Sequence, residues 1–312
     1  MIYNPLSIVI PVKNREKLIL RALDSAYNQT YRPIRLIVVD NASTDGTLAA
    51  VEDWKAEHES EDFTVKIVSE PRPGAAAARN RGLLEVDTDY MLFFDSDDVM
   101  LPELAITAME AFDRNKKLDL VYWRCAVVND KEEVIPKRFA KFDLIKRHLY
   151  NAVLATQAYA VRTSFIKRIG AWNSNLLCWN DWELGLRILV NEPNMKGIFR
   201  TLVHIYPQKE SITGTDFHSK AGEWEKAIEA MEKDAESAPE RLRRRIENML
   251  LYRKINLAAL YHREGFEKEA NRYLEETLSN AADLPAWKRR LLRFIFRYTS
   301  AGGRAAYLFW PA

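Results

Sequence analysis

Four short runs rich in β-branched and aromatic residues punctuate the N-terminal third of the chain: SIVIPV (7–12), IRLIVVD (34–40), FTVKIVS (63–69) and YMLFF (90–94). Most read as continuous apolar stretches, the mark of strands buried on both faces. Helical patterns separate them. Ile19, Ala22, Leu23 and Ala26 recur at helical spacing, residues 47–58 open after STDG, and GAAAARNRGLLEV (74–86) is rich in helix formers. Strand and helix taking turns in this way predict a doubly wound, mostly parallel α/β sheet.

The middle is less regular. LDLVYWRCAVVND and QAYAVRT read as further strands, and WNDWELGLRILV (179–190) as a helix. From about Phe217 onward Glu, Lys, Arg, Ala and Leu dominate and strand signals vanish. This predicts two regions, 1–215 and 216–312, the second all-helical. Within it, LYRKINLAALYHREGFEKEANRYLEETL reads as two antiparallel helices turning at Gly265, with no second copy to suggest a repeat array.

Composition narrows the functional classes. The 312 residues are 47% hydrophobic, ample for a core, and the net charge of +2 argues against a nucleic-acid binder. Two cysteines, Cys125 and Cys178, give no disulfide framework and suit a reducing, cytoplasmic setting. The N-terminus MIYNPLSIVIPV reads as a first strand rather than a signal peptide, and no apolar run reaches the ~18 residues of a membrane span.

The chemistry concentrates where YMLFF runs directly into Asp95, Ser96, Asp97 and Asp98. Two carboxylates about 5 Å apart repel by roughly 3 kcal/mol at an effective dielectric of ~20. In a parallel α/β sheet such residues sit beyond the carboxyl ends of strands, where ligands bind, and Asp40 closes IRLIVVD at an equivalent place. A hard divalent cation, Mg2+ or Mn2+, answers that repulsion. The bland reading is that the acids cap the helix that starts near Pro102. Asn41, Ser43 and Asp45 likewise suit a turn and cap before residue 47.

Five stretches in order, SIVIPVKN, LIVVDNASTDGT, PGAAAARNRGL, FFDSDDVMLPEL and GAWNSNLLCWNDWELGLR, resemble the family-two glycosyltransferases, which have the GT-A fold. The resemblance covers about residues 5–215. It implies an inverting, metal-dependent transfer of a sugar from a nucleotide-diphosphate donor, a UDP-sugar foremost, to a saccharide or lipid-linked acceptor in surface polysaccharide or glycolipid synthesis. Asp95-Ser96-Asp97 takes the place of the family's D-x-D motif. Asp97 is then the metal ligand, with Asp95 beside the metal or the donor ribose. Pro11, Asn14, Asp40, Arg79 and Ser96 fall at donor-binding positions. Asp181 takes the place of the catalytic base, with Asn180 standing for the family's usual Glu. VKN replaces the customary T-Y-N, and YPQK replaces Y-R-x-H, leaving His204 and Lys209 as the basic residues near that segment.

Plainer readings stand beside these. Arg79 suits a solvated helix charge, Asp181 a helix N-cap, His204 a structural strand residue, and Trp179 and Trp182 either an acceptor pocket or core. DSDDV also looks superficially like the motif of haloacid-dehalogenase-type phosphatases, and the altered segments would suit a nucleotide-binding module without turnover. In WKRRLLRFIFRY (287–298), Trp287, Leu291, Phe294, Ile295 and Tyr298 share one helical face, and Lys288, Arg289, Arg290, Arg293 and Arg297 supply charge with no acid after Asp283. That suits a helix lying on an anionic membrane, peripheral on its inner face, or one packed on the protein.

Overall fold

The computed structural model describes residues 4–137, 143–208 and 217–310. Strand and helix alternate as the sequence dictates: β1 (Leu6–Val12), α1 (Ile19–Tyr27), β2 (Ile34–Asp40), α2 (Thr47–His58), β3 (Phe63–Ser69), α3 (Ala75–Leu84) and β4 (Tyr90–Phe93). The short β5 (Val99–Met100) and α4 (Leu104–Arg114) follow, then β6 (Leu120–Val128), β7 (Val134–Pro136) and α5 (Leu144–Asn151). β8 (Tyr159–Arg162), α6 (Thr163–Arg168), α7 (Asn180–Val190) and β9 (Met195–Ile205) complete the sheet-bearing part.

The sheet runs β3-β2-β1-β4-β8-β6-β9-β5, with β7 paired to β6. The first four strands are parallel. Beyond β4 the sheet is mixed, because β8 pairs antiparallel with both β4 and β6 while β9 returns parallel to β6. β1 is buried along its whole length. Its successive side chains feed two cores: Ile8 and Ile10 on one face, Val9 on the other. Strand order reverses direction at β1, with β2 on one side and β4 on the other, so a crevice opens above their carboxyl ends. α3 lies close over this point. A Cβ on Gly82 would overlap Val9, so the helix reaches the sheet only because residue 82 has no side chain.

Four long helices follow, α8 (Phe217–Glu236), α9 (Glu240–Arg263), α10 (Glu267–Asn280) and α11 (Ala286–Ser300), with the expected turn at Gly265 between α9 and α10. The expected boundary at 215–216 lies outside the described residues. The helices after it share one core with α5 and α7: Leu149, Trp182 and Leu186 pack with Ile228, Met249, Leu250 and Leu274. α11 belongs to this core through Leu292 and Ile295, both fully buried. Of the two settings the sequence pattern allowed, a membrane or the protein body, Ile295 takes the second, because the helix turns that side toward α9.

His148 of α5 and Gly185 of α7 form the closest joint in this layer. His148 is fully buried and its Nε2 donates to the Trp182 carbonyl at 2.7 Å, while Nδ1 accepts from the Leu154 N–H at 3.2 Å. Burial pushes the imidazole down to about 4, which keeps it neutral. A Cβ at Gly185 would overlap that ring. Gly185→Ala is expected to cost about 1–3 kcal/mol, the usual scale of overpacking. Urea denaturation checks this, and an unchanged midpoint would contradict the contact.

Candidate active site

A cavity of about 500 Å³ opens over the carboxyl ends of β1 and β4, a volume typical of small-ligand clefts. Pro11, Val12, Lys13 and Arg15 form one wall, Gly74 to Arg79 at the start of α3 another, and Asp95, Ser96 and Asp97 the floor. Leu177 to Asp181, leading into α7, close the far side with Thr156. Of the residues singled out in the sequence, Pro11, Asn41, Arg79, Asp95, Ser96, Asp97, Trp179, Asn180 and Asp181 meet here. Asp40 and Asn14 do not line the cavity; both are used in the loop behind it. Asp40 accepts from the Ser43 N–H at 3.3 Å, and Asn14 Oδ1 accepts from the Thr44 N–H at 2.8 Å. Ser43 and Asp45 hold the same loop, whereas Asn41 lines the cavity and is tied to the segment before α3. Ser43 Oγ accepts from the Asn14 N–H at 3.0 Å, Asp45 Oδ1 accepts from Thr47, and Asn41 Nδ2 donates to the carbonyls of Glu70 and Arg72.

The acid cluster divides its labour. Asp98 is buried and turned away from the cavity: its Oδ2 accepts from Gln157 Nε2 at 2.8 Å and its Oδ1 from the Tyr206 N–H at 3.0 Å. Burial, with Asp95 and Asp97 beside it, pushes its carboxyl up to about 8. Asp95 Oδ1 accepts from Arg79 at 2.7 Å. Asp97 faces the cavity, and burial together with the charge of Asp95 holds its carboxyl above the ordinary range, opposed by Arg15 and Arg21. Asp97 therefore carries negative charge that the protein neutralises only in part.

Arg79 is no solvated helix charge. It is buried, with its guanidinium 4.3 Å from the Trp172 ring centre, one nitrogen on Asp95 and another donating to Asn180 Oδ1 at 3.4 Å. It thus joins the end of β4 to the start of α7. Asp181 lies in the first turn of α7, where the helix dipole favours an acid. Burial and Asp95 nonetheless raise its carboxyl, with Arg79 pulling the other way. Its Oδ1 accepts from the Trp182 N–H at 2.9 Å. Glu183 is spent elsewhere, paired with Arg187 at 2.7 Å in the interior.

Trp182 is core, whereas Trp179 lines the cavity. Trp179 adopts a left-handed backbone conformation, φ 55°, uncommon for a bulky residue, and stacks on Trp224 of α8 with ring centres 5.4 Å apart. Lys13 stands in the VKN that replaces the family's T-Y-N, and Arg15 carries no signal of its own in the sequence. The turn at Asn14, φ 50°, brings both to the cavity wall, which no local pattern in VKNR announces. His204 sits on β9 opposite Val99 and does not line the cavity. Lys209 lies outside the described residues. Among the described residues no three His, Cys, Asp or Glu side chains converge as a ready metal cage. Asp95 and Asp97, two of the three carboxylates that line the cavity, suit Mg2+ or Mn2+, which commonly bind one or two carboxylates and complete their shell with water and phosphate oxygens.

The family model described as "Glycosyl transferase family 2" matches residues 7–168, over half of the chain. The chain belongs to glycosyl transferase family 2. This family-two chain is 25% identical over 223 residues, 69% of each protein, to an uncharacterized glycosyltransferase of Haemophilus influenzae. It is 33% identical over 138 residues to a poly(ribitol-phosphate) beta-glucosyltransferase of Bacillus spizizenii, spanning 44% of this chain and 21% of that protein. In fold it is similar to residues 1–349 of S. aureus TarS in complex with UDP-GlcNAc, with a TM-score of 0.75 at 18% identity. That likeness covers 96% of this chain and 93% of the other, so the shared fold takes in the C-terminal helices that follow the GT-A domain. Family membership sets aside the phosphatase reading of DSDDV.

Arg79→Met keeps bulk and removes the bridge between Asp95 and Asn180. The expected cost is about 1.5–3 kcal/mol, the scale of hydrogen bonds to charged groups. Amide exchange at Asn180 to Trp182 should quicken with it. Unchanged protection there would show that Arg79 does not hold the start of α7.

Proposed function

We propose that this family-two enzyme transfers a sugar with inversion from a UDP-sugar to a saccharide or lipid-linked acceptor, in the synthesis of a surface polysaccharide or glycolipid. The observation that carries the reading is the meeting of two separate acidic groups in one cavity: Asp95 and Asp97 on its floor and Asp181 on its far wall, with Arg79 between them. Asp97 and Asp95 would hold Mg2+ or Mn2+, which supplies charge neutralisation at the departing diphosphate. Lys13 and Arg15 add positive charge on the same wall, and Pro11, Ser96 and Arg79 shape the nucleotide's seat. Asp40 and Asn14 serve the donor indirectly, by fixing the loop that carries Lys13 and Arg15.

Asp181 is assigned as the base. The acceptor hydroxyl oxygen attacks the anomeric carbon, the bond from that carbon to the diphosphate oxygen breaks on the opposite face, and the hydroxyl proton passes to the Asp181 carboxylate. Trp179 offers an apolar ring beside this acid for a sugar to lie against. The neighbouring Asn180 accepts from Arg79 and adds no second negative charge, so Asp181 stands as the single acid of that wall. A binding module without turnover would not need Asp181 to share the cavity of the donor acids, which favours the catalytic reading. In place, the enzyme is assigned to the inner, cytoplasmic face of an anionic membrane. Among the described residues no helix is long and apolar enough to cross one.

Asp181→Asn is expected to leave UDP affinity nearly intact and to lower transfer about 10²-fold or more. The base works only when deprotonated, and burial raises its carboxyl above 3.8. In the unaltered enzyme kcat/KM should therefore fall on the acid side with a midpoint above that value, and hold as pH rises past it. Equal loss of UDP affinity in Asp181→Asn would make Asp181 a binding residue and place the base elsewhere.

A further inference from the structure

α11 is packed on one side only. Leu292 and Ile295 are fully buried, Thr299 Oγ1 donates to Asn256 Oδ1 at 3.3 Å, and Trp310 just beyond the helix is 2% exposed with its Nε1 donating to the Asn248 carbonyl at 2.7 Å. Residues three, four and seven apart share a helical face. Opposite the buried side, Arg290, Arg293 and Arg297 form one row, and Trp287, Phe294 and Tyr298 form the row beside it. Trp287 is 55% exposed and Phe294 49%. The turn after the helix extends the aromatic row. Phe309, 46% exposed, packs edge-on against Phe294 and Tyr298 at 5.7 and 5.4 Å, and its neighbour Leu308 is 73% exposed.

Charge gathers along the same edge. Arg289, Arg290 and Arg293 line a groove of about 230 Å³ with Leu278 of α10 and Ala286. Glu275 stands 4.0 Å from Arg293. Among the described residues Arg289, Arg290 and Arg297 have no acid within ion-pair distance. A row of cations abutting a row of protruding rings asks for a partner that offers negative charge and an apolar layer side by side. It matches a bilayer surface, which offers phosphate charge and, a few ångströms deeper, an interfacial layer that takes up aromatic rings.

We infer that this face seats on an anionic phospholipid bilayer, with the Arg289–Arg290–Arg293 groove taking a lipid phosphate and with Trp287, Phe294, Leu308 and Phe309 entering the interface. The inference rests on the membrane placement proposed above and gives it specific residues. It also predicts that the helix stays folded on the body when bound, because Leu292, Ile295 and Trp310 remain in the core.

The test is co-sedimentation of the full chain with phosphatidylcholine vesicles, with and without phosphatidylglycerol, at low and high salt. Binding is expected only with phosphatidylglycerol and should weaken as salt screens the charges. The combined variant Arg290→Glu, Arg293→Glu, Arg297→Glu should bind at least about tenfold less well. Phe294→Ser with Leu308→Ser should lower binding at both salt concentrations. All these side chains are exposed, and UDP binding in each variant reports separately on the donor site. Equal pelleting with neutral vesicles, no change in the arginine variant, or full displacement by polyglutamate would overturn the inference, the last by making the face a general polyanion surface. A chain that binds UDP but no vesicles would overturn it while leaving the transferase reading intact.

Discussion

Mutual repulsion among Asp95, Asp97 and Asp98 at the end of β4 is the constraint around which the site is organised. Each acid meets it differently. Asp98 withdraws into the interior and accepts from Gln157 and Tyr206, which ties the end of β9 to the acid-bearing loop. Asp95 takes Arg79, and through Arg79 the loop is joined to α7. Arg21 donates to the Asp97 carbonyl and lies over the Tyr206 ring at 3.8 Å, bracing the same loop from α1. Only the Asp97 side chain is left facing the cavity with its charge incompletely matched. A floor that retains this much negative charge is suited to a ligand that brings a cation.

The far wall depends on the helical region in a comparable way. α7 presents Asp181 at its first turn and is held along its length by that region. Trp179 stacks on Trp224, and Arg187 gathers Glu183, the carbonyls of Ile169 and Ala171, and, at 3.9 Å, Asp234 of α8. Burial and Glu183 push the Asp234 carboxyl up to about 8. The arginine therefore serves two acids and two carbonyls at once. The C-terminal helices thus act as the support that sets where the proposed base stands.

Much of this was legible in the sequence because the signals were local. The helix over 47–58 appears with the bounds that its pattern indicated, and the run YMLFF followed by acids forms a strand ending at the cavity. Other features depended on distant partners. For Arg79 the family resemblance implied a donor-binding position and the local pattern a solvated helix charge, and its surroundings are set by Trp172 and Asn180, residues about a hundred positions away. Lys13 and Arg15 reach the wall through a left-handed turn at Asn14 that is stabilised by Ser43 and Thr44. The helix at 286–300 has apolar residues on more than one side, and periodicity alone could not say which side met α9. The mixed half of the sheet was likewise hidden, since strand direction beyond β4 is set by pairing and not by composition.

The central claim is that Asp97 is left incompletely neutralised for a cation that arrives with a diphosphate. Calorimetric titration of UDP into the protein, with and without Mn2+, and into Asp97→Asn, tests it most directly. The account predicts that Mn2+ tightens UDP binding in the unaltered protein by about tenfold or more, a gain of ~1.4 kcal/mol, and that Asp97→Asn removes this gain while the melting temperature holds. UDP affinity that is indifferent to Mn2+, or a metal effect that persists in Asp97→Asn, would contradict it.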